Sequence, residues 1–196
     1  MPRGLTEQEK ESQRQLLISH GRKLIIRYGI SRVSVDDIVK EAGMAKGSFY
    51  NFFSSKDDFL YHLVFQLHEQ GFARIKTVLR DISQLPSAEK RVKIKRFFME
   101  MMKDPEQRFF IEEHNEVERF MLRYAKDGLA ELEAMEQRNY QEMFNSMNLK
   151  GKQPEILQNY IHIIFFGVSH GEILIKEFID PTIEVMIDGL LDYLEV

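Results

Sequence analysis

Apolar positions recur along the chain at spacings of three and four, with charged residues filling the faces between them. No stretch alternates with a period of two between turn signals. The pattern predicts helices throughout. Over residues 6–28, Leu17, Gly21, Leu24 and Tyr28 form one stripe, with Ile18 and Ile25 beside it, and Gly29 ends the run. A short helix is expected after Ser34, whose hydroxyl suits an N-cap, with Asp36 and Asp37 in the first turn. It should stop at Gly43. A second short helix is expected from Lys46 to Phe52. Ser55-Lys56-Asp57-Asp58 has the form of a capping box with Asp in place of Glu. It opens a long helix with Leu60, Val64, Leu67, Gly71, Ile75, Val78 and Ile82 on one side.

In the second half, Ser83 to Ser87, around Pro86, reads as a turn, and Asp104-Pro105 as a break. Residues 106–148 carry a helical pattern with a charged outer face, and Lys150 to Pro154 form a loop. Residues 155–179 are apolar nearly all round, which predicts burial on more than one side. Asp180-Pro181 restarts the chain with proline at the first helical position. The last helix carries Ile183, Ile187, Leu190, Leu191 and Leu194 on one face. The expected fold is all-α with about nine helices. A three-helix head, residues 1–54, would precede a helical body, residues 55–196.

The head holds the most specific pattern. Two short helices joined by a glycine turn, after a longer helix, is the helix-turn-helix layout. Gly43 falls where the turn needs positive φ. Ile38, Ala42, Met44 and Phe49 are spaced to pack the two helices onto the first. The second short helix leaves Lys46, Ser48, Tyr50 and Asn51 as a compact set of donors suited to phosphate oxygens and base edges. Gly47 would let the backbone approach DNA closely, and Lys56 would add a phosphate contact.

Composition narrows the classes. The chain of 196 residues is 43% apolar and 30% charged with net charge −4, a soluble globular profile. It has no cysteine, which excludes disulfides, thiolate catalysis and Cys-zinc sites. Met1 to Thr6 has no apolar core segment, so no secretory signal is expected there. The most apolar stretch, Ile161 to Ile179, is interrupted by His162, His170, Glu172, Lys176 and Glu177, too often for a membrane span. A cytoplasmic location is expected. Residues 1–60 carry ten Lys/Arg against eight Asp/Glu, net +2, so a mildly basic head sits on an acidic body.

The stretch from Ser34 to Leu60 resembles the tetracycline-repressor (TetR) family of transcriptional regulators. Ala42-Gly43, Lys46-Gly47-Ser48-Phe49-Tyr50, Phe53 and Ser55-Lys56-Asp57 fall in register with that family. The resemblance covers about residues 10–60. It implies a homodimer with two DNA-binding heads on double-stranded DNA and a helical body for a small-molecule effector that relieves repression. It implies no catalysis and no cofactor. Carried over by position, Ser34 would touch phosphate, Lys46, Gly47 and Ser48 would lie at the groove, Tyr50 and Lys56 would reach phosphates, and Asn51 a base or a phosphate. Two positions depart from the pattern. Ala45 stands where the family often has serine, forfeiting a cap worth ~0.5–2 kcal/mol. Phe52 stands where His or Tyr is often found, removing a polar contact.

The remaining candidates are less specific. Phe65, His68, Phe72, Phe98, Met101, Met102, Phe110, His114, Met121, Phe166 and His170 are candidates for an effector site, since adaptable Met and flat aromatics suit a hydrophobic or aromatic ligand. The last two helices suit dimerisation, with Ile161, Phe165, Val168, Ile187, Leu190 and Leu194 as the contact set. Gly167-Val168-Ser169-His170-Gly171 matches the G-x-S-x-G nucleophile pattern, which gives a hydrolase alternative using Ser169 and His170. That pattern requires a strand-to-helix elbow, so close helix packing at Gly167 and Gly171 is favoured. None of the six histidines follows a Glu or Asp by three residues, and no metal site is expected. Lys90 to Arg96 packs five positive charges, expected as a solvated face balancing Glu112, Glu113, Glu116 and Glu118.

Overall fold

The computed structural model describes residues 6–106, 109, 116–117, 119–121, 126–147, 149–170 and 173–196. Among these residues the regular structure is helical, with no strand. The helices are α1 (Glu7–Tyr28), α2 (Val35–Glu41), α3 (Lys46–Tyr50), α4 (Lys56–Ile82), α5 (Ser87–Lys103), α6 (Lys126–Ser146), α7 (Pro154–Ser169) and α8 (Ile179–Tyr193). A 3-10 turn, Lys176–Phe178, precedes α8. Two compact units form. The first contains residues 1–67 and 115–129, the second residues 68–114 and 130–196.

In the first unit α1 packs on α2, and α2 on α3. Thr6 caps α1 through a reciprocal box with Glu9. The helix buries Leu17, Ile18, Gly21 and Ile25, while Tyr28 stays exposed, so the inner stripe runs through the isoleucines. Gly21 is where α1 meets α4: a Cβ there would overlap the Phe59 ring. Phe59 is fully buried. The first turns of α4 bury Phe59, Leu60, Leu63 and Val64, and the compact grouping of the head accordingly continues to residue 67.

In the second unit, α8 packs on α5 and α7. One cluster joins Met102, Ile164, Ile183, Ile187 and Leu191, and another joins Leu157, Ile161, Leu190 and Leu194. The apolar run after residue 155 is not one helix. It stops at Ser169, and α8 begins at Ile179 with Pro181 in its third position. A proline lacks an N–H, but the first-turn N–H groups have no intrahelical acceptor, so proline at the third position breaks no hydrogen bond of the helix. The basic run on α5 is also paired differently from expectation. Arg91 binds Asp188 and Asp192 at 3.0 and 2.7 Å, and Lys95 binds Asp188 at 2.8 Å, so the acids come from α8.

Gly21→Ala tests the α1–α4 crossing. Overpacking costs ~1–3 kcal/mol, against about 1 kcal/mol of helix propensity that alanine returns. Thermal unfolding of this variant should show a Tm lower by a few degrees, and an unchanged or raised Tm would mean that the ring relaxes freely.

Candidate nucleic-acid interface

The local sequence shapes the second and third helices in detail. Ser34 and Asp37 close a capping box on α2: the Asp37 N–H donates to Ser34 Oγ at 3.2 Å, while the Ser34 N–H and hydroxyl donate to Asp37 Oδ2 at 2.9 and 2.6 Å. These bonds, the hydroxyl's first, hold the Asp37 carboxyl below the usual carboxylate range. At the other end Gly43 takes φ +65°, and its N–H reaches the Lys40 carbonyl at 3.2 Å. The Met44 N–H reaches the Val39 carbonyl at 2.8 Å, completing the Schellman turn that a left-handed glycine permits.

The turn delivers α3, which has one buried residue, Phe49. Its ring lies 5.3 Å from Phe53 and 5.7 Å from Phe59, and those two meet edge-to-face at 5.1 Å. All three phenylalanines are fully buried. Anchoring Phe49 inward leaves Lys46, Gly47, Tyr50 and Asn51 exposed, with Ser48 half-buried. A Cβ on Gly47 would meet nothing within 4 Å, so this position is open on its outer side. Ala45 begins α3 without a side-chain cap.

Two expected phosphate ligands are otherwise engaged. Both donors of Ser34 are spent in the capping box. Lys56 is half-buried and donates from Nζ to the Ile30 carbonyl at 2.6 Å, tying the start of α4 to the turn after α1. Burial pushes its ammonium below the usual lysine value, against the opposing pull of Asp57, Glu116 and Asp37. Lys46, too, has a partner within the head. Asp36 lies 2.9 Å from Lys46 Nζ, and this bond holds the ammonium above its usual value. No local spacing announces a pair ten residues apart across a turn.

The effector-site candidates are dispersed. Met101, Met102 and Met121 are buried, and Phe98 is half-buried against the α5–α7–α8 core. Phe65 is half-buried, 6.1 Å from Tyr61. Phe72 packs edge-to-face on Tyr140 at 5.0 Å. His68 binds Glu136 at 2.8 Å. Tyr140, absent from the sequence-based set, stacks on Phe144 and shares a 2.9 Å hydrogen bond with His162. Its burial pushes the hydroxyl well above the usual tyrosine value. His170 is exposed at the end of α7. Phe110, His114 and the side chains of Phe166 and Ser169 lie outside the described residues.

The nucleophile-like pattern falls at the C-terminal end of α7, not on a strand-to-helix elbow. Gly167 is exposed, and an added Cβ would meet nothing within 4 Å, so among the described residues it mediates no close helix packing. The expected dimer contacts are mostly interior: Ile161, Ile187, Leu190 and Leu194 are buried in the chain's own core, and Phe165 and Val168 are half-buried against it. An aliphatic stripe is buried either way, and here α5 and α7 cover it.

Ala45→Ser should supply the missing cap. Thermal or denaturant unfolding is expected to show a gain of ~0.5–2 kcal/mol. No gain would mean that the α3 N-terminus is already satisfied by solvent.

Comparison with known proteins agrees with this geometry. Residues 17–63 match the family model described as bacterial regulatory proteins, tetR family. The uncharacterized HTH-type transcriptional regulator YwcC of Bacillus subtilis (strain 168) is 43% identical over 56 residues, 29% of this chain and 25% of the relative. The transcriptional regulator AcuR of Cereibacter sphaeroides is 41% identical over 61 residues, 31% of this chain and 27% of the relative. The chain thus matches about a quarter of the length of these curated relatives. A Mesorhizobium loti structure assigned to TetR-family transcriptional regulators aligns over 96% of this chain and 98% of its own, with TM-score 0.64 at 14% identity. The complex of SmeT with triclosan aligns over 92% of this chain and 90% of its own, with TM-score 0.56 at 20% identity. Residues 17–63 thus match the N-terminal domain of tetR-family bacterial regulatory proteins, and the all-helical fold of the described residues is that of solved structures assigned to that family.

Proposed function

We propose that this chain is a homodimeric transcriptional repressor of the cytoplasm, released from its operator by a small hydrophobic or aromatic molecule. The observation that carries the DNA-binding part is the outer face of α3. Phe49 alone is buried, and the donors Lys46, Tyr50 and Asn51 surround it on the exposed side. Such a face suits a major groove, with Gly47 at the point of closest backbone approach and Ser48 beside it. On this reading the head, residues 1–54, reads DNA and the body, residues 55–196, holds the effector and the dimer contacts.

The homodimer reading rests on apolar side chains that the chain leaves uncovered. Ile163 on α7 and Val185 on α8 are 61% and 70% exposed. In the link between these helices Ile173, Ile175 and Phe178 are 78%, 68% and 57% exposed. Together with Ile156 and Leu174 they offer several hundred Å² of apolar surface, the order of the ~800 Å² per partner of a standard interface. These residues replace Ile187, Leu190 and Leu194 as the proposed contact set.

The effector reading rests on the group around Tyr140, where Phe72 and Phe144 supply flat walls and His162 and the His68–Glu136 pair supply polar ends. It takes support from the SmeT–triclosan complex, a structure of the same fold that holds an aromatic molecule. A ligand of this kind releases DNA only through its differential affinity for the two states of the dimer.

Fluorescence anisotropy with DNA selected by the protein from a random pool tests the central reading. Specific binding should resist scrambled competitor and weaken with salt. Tyr50→Ala should weaken it on all sequences. Gly47→Ala should leave the fold intact and still reduce affinity, because its methyl points into open space that DNA would occupy. Full operator affinity in Gly47→Ala would contradict close backbone approach. In sedimentation, Ile163→Asp should yield a folded monomer, whereas Leu190→Asp should lose the fold itself. A folded dimer in Ile163→Asp would remove that residue from the interface.

A further inference from the structure

Lys46 opens the reading helix, yet in the free protein its charge is already answered. Its Nζ sits 2.9 Å from Asp36 Oδ1 and 3.0 Å from Oδ2, astride the carboxylate. The pair bridges α2 to α3, and both side chains are more than half exposed. The other acid in the first turn of α2, Asp37, is turned back onto Ser34. Asp36 is therefore the first-turn acid that faces the reading helix.

We propose that Asp36 is a built-in competitor for DNA, which keeps Lys46 closed on random sequence and yields it only at an operator. The inference rests on the reading of α3 as the DNA-binding helix. Its physics is an exchange of anions. An exposed ion pair contributes little to stability and opens readily when a better acceptor is offered. A well-placed phosphate or guanine edge at an operator is such an acceptor. A loosely tracked phosphate on random DNA is not, so there the pair stays closed and Lys46 releases no counterion. Asp36 thus acts through Lys46 as a positioning residue and makes no DNA contact of its own.

The test is a salt titration of binding for wild type, Asp36→Asn, Lys46→Gln and the double variant, on random and on operator DNA. On random DNA, Asp36→Asn should bind several-fold more tightly. Its log–log salt slope there should steepen by about 0.9, one additional phosphate contact. On the operator its affinity should rise while the slope stays where it was, since Lys46 is engaged in both proteins. In the Lys46→Gln background, Asp36→Asn should change neither slope, which separates action through Lys46 from a general loss of negative charge. An unmoved random-DNA slope in Asp36→Asn, or a slope change that persists without Lys46, would overturn the inference and leave the DNA-binding reading standing. Wild-type protein that bound no DNA of either kind would overturn both. Thermal unfolding of each variant confirms that the comparison is between folded heads.

Discussion

A helix of five residues does not persist in water by its own hydrogen bonds, because nucleating the first turn costs more than so few bonds return. The α3 helix has no side-chain cap to help. What holds it is the Phe49 ring, seated against Phe53 and Phe59. Removing a fully buried phenylalanine ring costs on the order of 3–5 kcal/mol, a large part of the stability of most domains. Every property of the reading face depends on that seat. With Phe49 inward, the 3.6-residue period puts Gly47 and Asn51 on the opposite side, Lys46 and Tyr50 stay exposed at the flanks, and the left-handed Gly43 sets the angle at which α3 leaves α2. Gly21 belongs to the same constraint, since only a residue without a side chain lets α1 lie against Phe59, which in turn backs Phe49.

Charge around this seat is arranged by local bonds more than by net balance. Asp37 is consumed in capping α2, Lys56 in closing the turn after α1, and Asp36 in holding Lys46. The slightly basic count of the head therefore says little about its field. Which cation is available to DNA depends on which carboxylate or carbonyl already has it. In the second unit the same logic pins α8, whose Asp188 and Asp192 hold Arg91 and Lys95 of α5.

Much of the fold was legible because its punctuation is chemical. Ser34 and Asp37 announce a cap, Gly43 a left-handed turn, and Ala45 the lack of a cap, and each is found as such. The inward residues of the head, Ile38 and Phe49, follow from spacing alone. What spacing could not convey is which surface covers an apolar stripe. Ile187, Leu190 and Leu194 carry the same periodicity whether a partner or α5 and α7 bury them. Ile163, Val185 and Phe178 are apolar in the sequence but uncovered in the chain. The end of α7 was hidden for a related reason. Apolar character continues past Ser169, with no proline until Pro181, so hydrophobic pattern alone did not mark the end. Long-range polar pairs were equally silent: Asp36 with Lys46, Lys56 with the Ile30 carbonyl, and Tyr140 with His162 are made by the fold and not by neighbours in sequence.

The central claim is that α3 enters a major groove, twice per operator. Guanine N7 lies on the floor of that groove, so dimethyl sulfate protection on DNA selected by the protein tests the claim at the atoms concerned. The expected result is two protected patches whose centres lie about one helical turn, ~34–36 Å, or a multiple of it apart. Binding that left guanine N7 reactive throughout, or that protected a single patch, would contradict it.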